Sequence, residues 1–246
     1  MLVFKSVMKK LYRPALFFFL LPIFDILLGS LFALRYDSFQ FSAFIILYVF
    51  ILINQMLENI FLRIPTSDFK LSKVFLFILE GLNILALFYF YWRYSWLAAL
   101  VLLFYTLFIQ FQFLFSYYSL DVLAVTLGNF FKIILLNGFS FYIHTSFIHE
   151  RFIPYYLGLF IPFFLYEVAR VTDSLANKWL FSLTGLYYVF TIWLLWSELS
   201  WQSLLALISL PVVGLLKAEF NRKTTAIFAT ISSLIYILLL LFAFFV

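Results

Sequence analysis

The stretch LINQMLENIFLRIP, residues 52–65, closes an apolar window that opens near residue 39, and its one carboxylate, Glu58, stands four positions after Asn54. An uninterrupted window of this length crosses a hydrocarbon core about 30 Å thick when it is helical. Backbone amides in lipid must bond within their own segment, and the apolar residues here run on rather than alternate. A helix is therefore expected and a barrel strand is not. Arg63 and Pro65 mark where that helix leaves the apolar phase.

The same reading extends to the whole chain. Of its 246 residues, 66% are hydrophobic and 24% aromatic, with 11% charged, and the mean hydropathy is +1.11. These values lie outside the range of soluble domains and predict an all-α, polytopic integral membrane protein forming one transmembrane domain over residues 1–246. Polar and turn-forming clusters divide it into windows near 14–35, 39–62, 72–92, 95–116, 121–143, 153–170, 179–197, 202–217 and 225–246, about nine helices. The first window follows Lys5, Lys9, Lys10 and Arg13 as a signal peptide would, but Phe17 to Leu34 is long and has no small-residue cleavage site, so a retained helix is expected.

Charge sets the orientation. With the N-terminus inside, the inner connections carry Lys5, Lys9, Lys10, Arg13, Arg63, Lys70, Lys73, Arg170, Lys178, Lys217, Arg222 and Lys223, and the outer ones Arg35, Arg93 and Arg151. This bias predicts a cytoplasmic N-terminus and an extracytoplasmic C-terminus; the richness in Phe and Lys without Cys points to a bacterial plasma membrane as the expected location. The bias also gives the net charge of +5 a use at anionic headgroups, so nucleic acid is not expected as a partner. The chain has no cysteine, which excludes disulfides, thiolate metal sites and cysteine nucleophiles. It also has no G-x-S-x-G, H-E-x-x-H or Walker sequence, so hydrolase and nucleotide-motor readings lose support.

Five ionisable residues fall within or at the end of a window: Asp25, Glu58, Glu80, Lys132 and Glu167. Each costs at least about 2.5 kcal/mol at a bilayer centre, so such groups face a protein interior, a cavity or one another. Asn54 and Glu58 share a helix face at i, i+4, where an amide and a carboxylate can hold one ligand. The plainer reading of Glu58 is a helix-end carboxylate in interfacial water. Glu167 and Arg170, in FLYEVARVTD (164–173), are spaced for an intrahelical ion pair, and Asp173 joins them only if the helix unwinds near Val171. Oxygen ligands beside arginines suit Mg²⁺ and phosphate. Lys132, in GNFFKIILLNG (128–138), reads as a structural partner of Asp25 or Glu80, or as a diphosphate contact in a cavity. His144 and His149 are five apart with no third ligand nearby, which argues against zinc.

The segments NQMLENIFLR (54–63) and FLYEVARVTD rhyme four helices apart, and a parallel duplication of helices 1–4 and 5–8 would account for this. On these residues the chain resembles the UbiA superfamily of intramembrane prenyltransferases, which have nine helices and two acidic motifs at the inner ends of helices two and six. YRPALFFFLLP (12–22) is similar to the Arg-Pro entry of that family's first helix, INQMLEN (53–59) to its N-x-x-x-D opening, and YEVARVTD (166–173) to a Y/F-E-x-x-R form of the second motif. The resemblance implies Mg²⁺, an isoprenyl diphosphate donor and transfer of the prenyl group to a small-molecule acceptor, often an aromatic ring. It implies Glu58 and Glu167 as catalytic groups. Asn54, Glu58, Glu167 and Asp173 would hold metal, and Asn54, Arg63, Lys132 and Arg170 the diphosphate. The sequence departs from the family where Leu62 and Val171 replace further acids. A non-catalytic bundle, such as a transporter, a partner subunit or a lipid-carrier-binding pseudoenzyme, is the alternative.

Overall fold

A computed structural model describes residues 14–61, 73–160, 164, 177–201, 203–204 and 222–245, and every regular element among them is helical. In chain order these are α1 (Pro14–Ala33), α2 (Phe41–Phe61), α3 (Lys73–Arg93), α4 (Trp96–Tyr117), α5 (Asp121–Asn129), a π-helical segment (Phe130–Leu135), α6 (Leu136–Thr145) and a 3₁₀ turn (Glu150–Phe152). Then come α7 (153–160), α8 (Asn177–Leu199) and α9 (Arg222–Phe245).

Among the described residues, four spans are long and apolar enough to cross a membrane: α2, α3, α4 over Trp96–Phe115, and the continuous run Asp121–Thr145 made of α5, the π segment and α6. They coincide with the windows near 39–62, 72–92, 95–116 and 121–143. Apolar residues face outward along them, among them Phe77, Ile84, Leu85 and Trp92 of α3, as expected of helices solvated by lipid. Most of the window near 202–217 and much of that near 153–170 lie outside the described residues.

Short connections make antiparallel neighbours. Only Tyr94 and Ser95 separate α3 from α4, and the Ser95 hydroxyl accepts the Ala98 N–H at 3.1 Å, relieving one of the free donors at a helix start. Ser119 and Ser146 take left-handed conformations, with φ of 57° and 60°. They end α4 and α6 in the way glycine commonly does, and the Ser146 N–H returns to the Tyr142 carbonyl at 2.8 Å.

The centre of the bundle is the pair α1 and α6. On one side Ile26 joins Leu47, Phe50, Phe90, Leu102, Tyr105 and Leu136 in a core that ties in α2, α3 and α4. On the other, Leu28 and Phe32 join Phe152, Tyr155, Leu159, Leu195, Tyr236 and Leu240, tying in α7, α8 and α9. The spine is close-packed because Gly29 has no side chain: a Cβ there would run into the Asn137 backbone. Small residues at the contact are how membrane helices gain dispersion energy where no water is left to expel.

Candidate functional site

Glu58 lies near the end of α2 and is buried, with 8% exposure. Its partner is Lys132, whose Nζ donates to both carboxylate oxygens at 2.8 Å. Lys132 is the third residue of the π segment. A π turn adds one residue to a helical turn, and such turns gather at functional sites because they turn a side chain where the α register would not. The Lys132 side chain keeps more exposure than that of Glu58, 27% against 10%.

Of the two partners that the sequence offered to Lys132, Asp25 stays within its electrostatic reach, whereas the expectation of Glu80 is corrected. Glu80 is instead held by a neutral amide, Gln110 of α4, whose Nε2 donates to its two oxygens at 2.9 and 3.0 Å. Asp25 is partly buried on α1, and it belongs with the pair electrostatically, since the charges of both Lys132 and Glu58 act on it. Asp25 and Glu58 act together on the fully buried Tyr105 as well. Three helical segments thus bring two carboxylates and one ammonium within electrostatic reach.

Asn54, one turn from Glu58, has no exposed surface. Its Nδ2 donates to the Phe50 carbonyl at 2.9 Å and to Asn83 Oδ1 at 3.1 Å, and Asn83 Nδ2 reaches Asn54 Oδ1 at 3.4 Å and Thr106 Oγ1 at 3.5 Å. The amide therefore links α2 to α3 and α4, as buried polar groups do between membrane helices.

Two of the buried side-chain atoms without a hydrogen-bond partner are Gln55 Oε1, three residues before Glu58 on α2, and Asn129 Nδ2, three residues before Lys132. Neither residue was singled out from the sequence, although their spacing to Glu58 and Lys132 was the available signal. Oxygen donors from Gln55, Glu58 and Asp25 are the kind that Mg²⁺ accepts. Glu58 could serve only if Lys132 gave up its hold. Among the described residues there is no cluster of three or more His, Asp or Glu side chains that could hold a metal ion. Arg63, Glu167, Arg170 and Asp173 lie outside the described residues.

A second polar chain closes the other end of the spine. His144 Nδ1 accepts the Gln40 N–H at 3.0 Å, which leaves Nε2 as the protonated nitrogen in the neutral ring, 3.3 Å from Ser30 Oγ. Ser30 and Ser140 hydroxyls are 2.6 Å apart. Phe39 stacks on the imidazole, with ring centroids 4.7 Å apart. The Tyr94 hydroxyl donates to Gln40 Oε1 at 3.1 Å, and burial pushes its pKa up to about 12, with the Tyr89 phenol adding to the effect. His144 is thus a core residue.

No protein-family model matches the chain, and no curated protein or solved structure matches it either.

Proposed function

We propose that the protein is a membrane-embedded, Mg²⁺-dependent prenyltransferase of the UbiA type, acting on an isoprenyl diphosphate and a small-molecule acceptor, with nine spans and a cytoplasmic N-terminus in a bacterial plasma membrane. The observation that carries the reading is the Lys132–Glu58 pair, with Asp25 in electrostatic reach, within predominantly apolar helices. Intramembrane charges of this kind are costly and accompany a ligand more often than not. Lys132 and Glu58 neutralise each other until a ligand supplies better partners. A diphosphate head would take the ammonium, and the released carboxylate would face the cation.

Bound Mg²⁺ would supply electrophilic stabilisation of the leaving diphosphate. Lys132 would share that charge through its N–H donors, Asp25 and Glu58 would orient oxygen ligands, and the surrounding aromatic core would keep water from the prenyl carbon. Glu167, Arg170 and Asp173 would complete the site from the second motif, and Arg63 would add a phosphate contact. The central pairing of α1 with α6, the first and fifth spans of the expected duplication, supports the same reading.

The decisive assay uses purified protein with Mg²⁺, geranyl or farnesyl diphosphate and an aromatic acceptor. Diphosphate release is expected, and Glu58→Gln and Glu167→Gln should each abolish it in protein whose helix content shows that it is still folded. Failure to bind either donor at high Mg²⁺ defeats the proposal. A non-catalytic bundle is the second reading. It is favoured by Asn54, whose carboxamide is already spent on Asn83 and the Phe50 carbonyl, and it predicts donor binding without turnover, or neither.

A further inference from the structure

The geometry points to Asn137 as the positioning residue that holds Lys132 in place, an assignment that gains its functional meaning from the reading of Lys132 as the cation for phosphate. The π segment is its starting point. The Leu136 N–H reaches back five residues to the Phe131 carbonyl, so the helix carries one residue more than the α register would allow. Such a turn is less favourable than α-helix and persists only where tertiary contacts hold it. Asn137 supplies one such contact, to α1, and a local bond to the turn itself. It is fully buried, its Nδ2 donates to the carbonyl of Ile133, the residue after Lys132, at 2.8 Å, and its Oδ1 accepts the Gly29 N–H at 3.0 Å.

One carboxamide therefore fastens the π turn to α1. The bond is feasible because position 29 is glycine, which lets α1 come within reach of the Asn137 backbone. Asp25 stands one turn earlier on the same helix. Asn137 thus sets the spacing between Asp25 on α1 and Lys132 on the π turn. Without the clamp the turn relaxes toward α-helix, the residues before it rotate relative to α6, and the ammonium swings away from Glu58.

A hydrophobic carbodiimide tests this on the full chain in detergent. The reagent activates the Glu58 carboxyl; if the Lys132 amine is in contact it attacks, an amide forms and the urea leaves, and mass spectrometry counts the joined peptide. Wild type should give the Glu58–Lys132 product. Asn137→Leu, of similar volume but with no donor or acceptor, should lower the yield about tenfold at unchanged helix content, on the scale of the one interhelical hydrogen bond, from Gly29 N–H, that is lost between α1 and the turn. Asn137→Gln, which keeps both groups, should restore most of it. If Asn137→Leu does not fold, Asn137→Ala takes its place with the same expectation. A wild-type yield in either folded variant overturns the assignment, and no product from wild type overturns the contact itself. Adding geranyl diphosphate and Mg²⁺ to wild type should suppress the product. If it does not, the ligand reading of Lys132 fails while the positioning role stands on the variants.

Discussion

The ammonium of Lys132 spans both carboxylate oxygens of Glu58 at 2.8 Å across 74 positions of sequence, so each of two costly membrane charges is the other's main support. Removing one leaves the other buried and unpaired. Glu58→Gln or Lys132→Met alone should therefore destabilise the protein by about 3 kcal/mol, and the double variant should recover most of the loss. Denaturant unfolding in detergent micelles gives the cycle; additive single losses would show that the pair is not coupled.

The two glycines Gly29 and Gly81 should respond in opposite directions to alanine. At Gly29 the new methyl meets the Asn137 backbone, and a loss of about 3 kcal/mol is expected from overpacking. At Gly81 nothing lies within 4 Å, so the same change should stabilise α3 by up to about 1 kcal/mol through helix propensity. Thermal midpoints of the two variants check both signs.

Asn54 and Asn83 form a reciprocal amide pair, so truncating one orphans the other. Asn54→Leu is expected to cost about 1–2 kcal/mol, and Asn54→Leu with Asn83→Leu distinctly less than twice that. The same variant bears on function. Loss of donor binding at preserved stability would identify Asn54 as a ligand residue, and unchanged binding would leave it a link between helices.

Tyr94 provides a pH dependence whose sign follows from its raised pKa. The folded protein keeps the phenolic proton up to about pH 12, whereas the unfolded chain releases it near the ordinary tyrosine value of about 10. The folded state then binds more protons, so this contribution is fully present below pH 10 and is lost as pH rises from 10 toward 12. Tyr94→Phe should lose the bond to Gln40 and show a shallower alkaline decline than wild type in a melting series. Parallel declines would contradict the assignment.

The helices were legible in the sequence because apolar windows of membrane-crossing length leave the chain few alternatives. The windows near 39–62 and 72–92 match α2 and α3 closely. The partner of Lys132 was not legible. Spacing says which residues share a face of one helix, but not which helix stands opposite, and an argument from charge alone offered Asp25 or Glu80. Glu80 went elsewhere because the neutral Gln110 satisfies it, a pairing that charge counting does not consider. The π turn had no marker either: FFKIIL (130–135) reads as ordinary apolar helix, and the extra residue is explained only by contacts with α1. The clamp at Asn137 depends on a backbone N–H in another helix, which no side-chain pattern reveals.

Ile26 and Leu28 lie two residues apart on α1 yet belong to different cores. Neither half of the bundle can melt without stripping one flank of a rod that the other half still needs. Heat or denaturant should consequently take the molecule apart in one step, and a lesion among the aromatic residues of α9 should be felt as lost rigidity in the distant α3–α4 hairpin.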